Sequence, residues 1–166
     1  MEQANSLLKR IFSALAGVFV FAITLFAQDK KDKETTIKNI VEAKKYVFAA
    51  ESAQPSSGRL RQLTYGYQLD VNGDSVNVDL PYFGRAYSAP IDASKGGIQF
   101  ATNEFDYTTT PKKKGGWKIL IKPKGNVDAR QLDLDISTNG RAYLQVISNN
   151  RQPISFTGYI SERKAK

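Results

Sequence analysis

The chain predicts an all-β fold, a small antiparallel barrel of about eight strands with one short N-terminal helix. Three observations carry this. Short runs of alternating apolar and polar residues recur from Tyr46 to Ile160. Turn pairs such as Asn72-Gly73 and Asn139-Gly140 divide them. Only residues 35–45 place apolar side chains at helical spacing. A β-sandwich shares these signals and stands as the alternative. Hairpin after hairpin with one wet and one dry face favours a meander that closes on itself and hides its edge strands.

Lys9 and Arg10 lead into the apolar run Ile11 to Ala27, and the chain turns polar at Gln28. A basic stub, a short apolar stretch and a small residue before a polar segment make a signal peptide, 1–27. The rival is a retained membrane anchor, but a spanning helix wants about 20 apolar residues. This run is shorter and is weakened by Ser13, Gly17 and Thr24. The expectation is export to the periplasm or cell envelope, with no transmembrane span in the mature chain.

Residues 28–34 read as a charged, Lys-rich tether, and 35–166 as a single domain. Thr35 or Thr36 is placed to cap a helix running to about Lys45, with Ile37, Ile40 and Val41 on one side. From Tyr46 the period becomes two, and the first strand ends near Ala53-Gln54-Pro55. Tyr65, Tyr67, Leu69 and Val71 then alternate with polar residues and Gly66. Beyond Asn72-Gly73, Val76, Val78 and Leu80 do the same. Alternation on both sides of Asn-Gly is the strongest short-range hairpin signal, because that pair tolerates positive φ. Pro81 stops the ladder, having no N–H to give.

The same grammar repeats downstream. Ile98 and Phe100 form a short strand, and Phe105 and Tyr107 the next. Lys112 to Gly116 turns the chain into Trp117, Ile119 and Ile121. Leu132, Leu134 and Ile136 answer Ala142, Leu144 and Val146 across Asn139-Gly140. Ile154, Phe156, Gly158 and Ile160 share one face of the last strand. The other faces carry Asp, Lys, Asn and Gln, which is not the lipid-facing band of an outer-membrane barrel.

Composition excludes more than it assigns. There is no cysteine and no histidine, so disulfides, thiolate chemistry, Ser-His-Asp triads and His- or Cys-ligated zinc cannot be built. No cofactor, metal site or catalytic residue is expected. The net charge is +8, and loss of Lys9, Arg10 and Glu2 with the leader removes one unit of it. The charges are scattered, and export argues against nucleic acid as a partner. Asp70 with Asp79 and Asp133 with Asp135 lie on wet faces, where solvated charges belong. Asn72-Gly73-Asp74 is a turn rather than a calcium loop.

The segment Leu80-Pro81-Tyr82-Phe83-Gly84-Arg85-Ala86-Tyr87 is the most distinctive. With Tyr46-Val47-Phe48-Ala49-Ala50, Gln54-Pro55, Tyr67-Gln68-Leu69-Asp70-Val71, Gly73-Asp74 and Gly97-Ile98-Gln99-Phe100, it resembles the family grouped as domain of unknown function 4251, secreted proteins of Gram-negative bacteria. The resemblance covers essentially the whole mature chain. It implies a lipocalin-like barrel and brings no activity.

Two readings of this segment stand together. In one it is a structural corner closing an end of the barrel. In the other it is a cationic, aromatic mouth for an anionic amphiphile, with Arg85 stacked on a ring or paired with Asp79. The candidate ligand-binding set is Tyr65, Tyr67, Phe83, Arg85, Tyr87, Phe100 and Trp117. Inward aromatics suit a packed core equally well. Functionally, the leading expectation is an exported, non-enzymatic envelope protein whose barrel binds a small apolar or amphiphilic ligand. The alternative is an interaction module that docks an envelope protein or glycan. A hydrolase using the Asp pairs comes third.

Overall fold

The computed structural model describes residues 31–64, 66–87, 96–125 and 127–163. The leader expected over 1–27, the first residues of the tether, Tyr65 and the loop around Pro90 lie outside them. A helix α1 spans 31–42. The strands are β1 (Lys45–Pro55), β2 (Arg61–Gln62), β3 (Gln68–Asn72), β4 (Ser75–Leu80), β5 (Ile98–Thr102), β6 (Phe105–Pro111), β7 (Trp117–Pro123), β8 (Ala129–Ile136), β9 (Arg141–Ser148) and β10 (Ile154–Glu162).

They form one sheet in the order β5-β4-β3-β1-β10-β9-β8-β7-β6, with β2 beside β1. Neighbours are antiparallel throughout, so β5 and β6, the ends of this nine-strand path, run in the same direction. They are therefore not the hairpin that their short link suggests. They are two halves of one strand broken at Asn103–Glu104, the first half laid on β4 and the second on β7. Thr102 Oγ1 accepts from the Glu104 amide at 3.0 Å, and the Lys124 amide donates to the Glu104 carbonyl at 2.8 Å, which pins the break to the end of β7. The wall is a nearly closed barrel of nine strands, or eight staves with one kinked. A single continuous sheet leaves no place for the sandwich.

Register follows the dry face. Val71 stands opposite Val76 and Leu69 opposite Val78, which pairs Asn72 with Ser75 and leaves Gly73-Asp74 as the loop. Gly73 has φ 63° and Asp74 is not in the positive region, the form that wants glycine first. The turn is thus one residue later than the Asn72-Gly73 expected. The β3 strand also starts later than its alternation suggested, at Gln68, because Gly66 at φ 111° leaves β geometry. The Asn139-Gly140 turn is a three-residue loop, closed by Ser137 N to Arg141 O at 2.9 Å, with Gly140 at φ 84°.

Inward side chains from every long strand build one core, with Tyr46, Phe48, Leu69, Ile119, Leu134 and Phe156 almost wholly buried. The helix α1 begins before the expected cap. Thr35 and Thr36 lie inside it, their hydroxyls donating back to the carbonyls of Lys31 and Asp32 at 2.9 Å. Its buried Ile37, Ile40 and Val41 cover the end of the barrel where the β3–β4, β6–β7 and β8–β9 turns lie. At that end Lys44, the sole non-glycine at positive φ among the described residues (51°), accepts from Gly73 N at 2.7 Å.

Candidate functional site

The opposite end is closed by a strap, residues 81–87. Pro81 releases the chain from β4 and Tyr82 folds back beneath it. The Tyr82 hydroxyl lies 2.8 Å from the Arg85 carbonyl and 3.1 Å from that of Gln152, with its one proton to donate between them. Gly84 permits this, since a Cβ there would stand 2.8 Å from Tyr82 Cζ. Gln152 N then donates to the Arg85 carbonyl at 3.0 Å and Tyr87 N to that of Asn150 at 2.8 Å. Ala86 bridges Arg151. The strap is thus stitched to the loop between β9 and β10.

Arg151 is the hub of this end. Its side chain is 9% exposed and reaches Asp128 at 3.1 Å. Nη1 lies 3.0 Å from the carbonyls of both Gly96 and Gly97, just ahead of β5. Its guanidinium also stands 5.0 Å from the Tyr82 ring centroid. One planar fork thereby joins four segments, which a lysine's point charge would not do. Burial pushes the Tyr82 phenol above its ordinary pKa, opposed by its bond to Gln152 and by the Arg151 charge.

A second cation lies outside the first. Arg61 on β2 places its guanidinium 4.7 Å from the centroid of the half-buried Phe83 ring. The loop before it converges on the same place, with Ser56 Oγ donating to the Pro153 carbonyl at 2.5 Å and Ser57 Oγ to Gln152 Oε1 at 3.4 Å. Arg59, Leu60, Arg85 and Tyr87 project into water around this junction, Tyr87 with 69% of its surface exposed. None of Arg59, Arg61 and Arg85 has a carboxylate at ion-pair distance among the described residues.

The predicted set is therefore divided. Tyr65 lies outside the described residues. Tyr67, Phe83, Arg85 and Tyr87 sit at the strap end, the half-buried Tyr67 accepting at its carbonyl from Ala50 N at 2.9 Å. Phe100 faces inward from mid-wall opposite Val78. Trp117 belongs to the helix-capped end, between Pro111 and Ile136. The stacking role expected of Arg85 falls to Arg151 and Arg61. Arg85 contributes its carbonyl, and Asp79 instead accepts from Gln99 Nε2 at 2.8 Å. Sequence reasoning missed Arg151, whose Asn-Asn-Arg-Gln-Pro setting reads only as a turn.

A pair made of the buried Tyr46 and the half-buried Tyr107 lies toward the other end. The Tyr46 and Tyr107 hydroxyls share a hydrogen bond at 3.0 Å, and Lys44 Nζ stands 4.7 Å over the Tyr107 ring. Burial raises both phenols above their ordinary pKa, Tyr46 the more strongly. The aspartates of the expected pairs point outward to separate partners. Arg163 holds Asp70 at 3.0 Å, Gln131 donates to Asp133 at 2.7 Å, and Lys112 pairs with Asp135. Among the described residues, no helix is long and apolar enough to cross a membrane.

The family model for a domain of unknown function, DUF4251, matches residues 28–160. Among solved structures the chain is similar to the crystal structure of a DUF4251 family protein from Bacteroides eggerthii DSM 20697. That likeness has 16% identity and a TM-score of 0.59, over 78% of this chain and 87% of that one. At this identity it speaks for the fold. No curated protein matches the chain. With the family model spanning most of its length and the same barrel in a solved relative, the chain belongs to the DUF4251 family.

Proposed function

We propose that this is an exported, non-enzymatic envelope protein that binds an anionic amphiphile at the strap end of its barrel. The observation that carries the reading is Arg61 over Phe83, at a rim where Arg59 and Arg85 also stand without carboxylate partners among the described residues. A carboxylate or phosphate head would take the arginine forks, and the apolar portion would lie along Phe83 and the exposed Leu60. The packed inward side chains support a ligand seated at the mouth rather than deep inside. The leader-like N-terminus supports export, and a chain without histidine or cysteine supports binding over catalysis.

The test is native mass spectrometry of the protein purified from its own envelope without detergent. The reading expects a chain beginning near Gln28, with an added mass that disappears on denaturation. Arg61→Ala should lose that mass while unfolding like the parent. A bare parent, or a mass retained by Arg61→Ala and Phe83→Ala alike, would overturn the mouth as the binding site.

A further inference from the structure

The outer wall carries a hollow of about 440 Å³ across β7, β8 and β9. Its floor is made of cross-strand pairs: Asp135 beside Tyr143, Asp133 beside Gln145, and Gln131 beside Ile147. Lys118 stands on the far side of Asp135. The volume falls in the range of about 300–1,000 Å³ usual for small-ligand clefts.

In a chain of net charge +8, the carboxylates of Asp133 and Asp135 are balanced locally by Lys118 and by Lys112, which pairs with Asp135. The polar groups are also held in place. Gln131 Nε2 donates to Asp133 Oδ2 at 2.7 Å, and the Tyr143 hydroxyl donates to Ser155 Oγ at 2.6 Å. That second bond fixes the tyrosine ring while leaving it 46% exposed among amides and carboxylates.

We propose that this cleft is a binding site for a neutral oligosaccharide. Adjacent sugar hydroxyls both donate and accept, and so match a row of fixed carboxylates and amides. The C–H face of a pyranose fits an exposed aromatic ring. Charge balance disfavours a polyanion, which would meet Asp133 and Asp135, and the polar floor offers an acyl chain little beyond Ile147. The proposal is independent of the amphiphile site, because no residue is shared.

The test is an amide-shift titration of the isotope-labelled protein with maltohexaose, cellohexaose, mannohexaose and the hexamer of N-acetylglucosamine. At least one should give saturable shifts at the amides of Asp133–Asp135 and Tyr143–Gln145. Its affinity should stay constant when added salt rises roughly tenfold, as expected where no net charge is neutralised. Tyr143→Ala and Asp133→Ala should each weaken binding roughly tenfold or more, with each variant still unfolding in one cooperative transition. The proposal is overturned by silence from all four sugars, by shifts confined to the strap end, by full affinity in Tyr143→Ala, or by tighter binding of an acidic oligosaccharide. Failure here leaves the strap-end ligand untouched.

Discussion

Gly158 marks a close approach of β10 to β1. It lies opposite Ala50, beside the bulge that β1 makes between Ala50 and Ser52. A Cβ at this position would stand against the Ala49 carbonyl oxygen far inside van der Waals contact, 2.9 Å from the carbonyl carbon and 3.1 Å from Ala50 Cα. All three atoms are backbone, so no side chain can swing aside. Gly158→Ala must therefore push β1 off β10 by about 1 Å, with overpacking of about 1–3 kcal/mol. The ladder bonds flanking the bulge add about 1 kcal/mol each where they break. The expected loss is about 3–5 kcal/mol, a large part of the roughly 5–15 kcal/mol that holds a domain together. Urea unfolding followed by circular dichroism measures it. Gly73→Ala is the control, because Gly73 has positive φ but open space around it. That change should cost only the left-handed penalty of about 1–2 kcal/mol. If Gly158→Ala proved no more costly than Gly73→Ala, the close approach of the two strands would be refuted.

Three further outcomes follow from the strap and the core. Arg151→Ala should destabilise by about 2–4 kcal/mol, since it strands Asp128 and two carbonyls, whereas Arg85→Ala should stay within about 0.5 kcal/mol. Equal losses in denaturant titration would contradict the assignment of the hub. Tyr82→Phe should cost about 1 kcal/mol and speed hydrogen exchange at the amides of Tyr87 and Gln152, with the β8–β9 ladder unchanged. The raised phenols of Tyr46 and Tyr107 set a pH dependence at the alkaline end. Above about pH 10 the unfolded chain releases these protons first, so stability is fully present below that pH and falls as pH rises toward the folded pKa values. The slope should reach about 1.4 kcal/mol per pH unit for each tyrosine, and Tyr46→Phe should flatten it. A profile level through pH 11 would show both phenols to be solvated.

The wall of the barrel was largely legible in the sequence because a strand with one dry face has no freedom of period. Leu132, Leu134 and Ile136 had to share a side, as did Ala142, Leu144 and Val146, and they do. What failed to show locally was set by distant contact. Asn103-Glu104 looks like any short turn. Whether β6 folds back on β5 or continues past it is decided by β4 and β7, which claim the two halves separately. The strap gave the same lesson. Arg85 sits among aromatics and Arg151 does not, yet burial went to Arg151, because the β9–β10 loop meets the strap through it. The rim was half legible. Phe83 was read from its neighbours, whereas Arg61 reaches it from a segment more than twenty residues earlier.

The break at Asn103–Glu104 also divides the chain into two sequence-local meanders. Residues 45–102 contain the β1–β3, β3–β4 and β4–β5 ladders, and residues 105–162 contain those from β6 through β10. Only the β1–β10 ladder joins first strand to last. Each meander can zip from its own hairpins at little loop-closure cost, which leaves one late, high-separation step. Until Ile154–Glu162 arrives, β1 and β9 both present open edges, and a chain cut short of it is an aggregation hazard. A nick at Asn103–Glu104 severs the peptide where no ladder crosses, so the two fragments can still complement each other into one barrel.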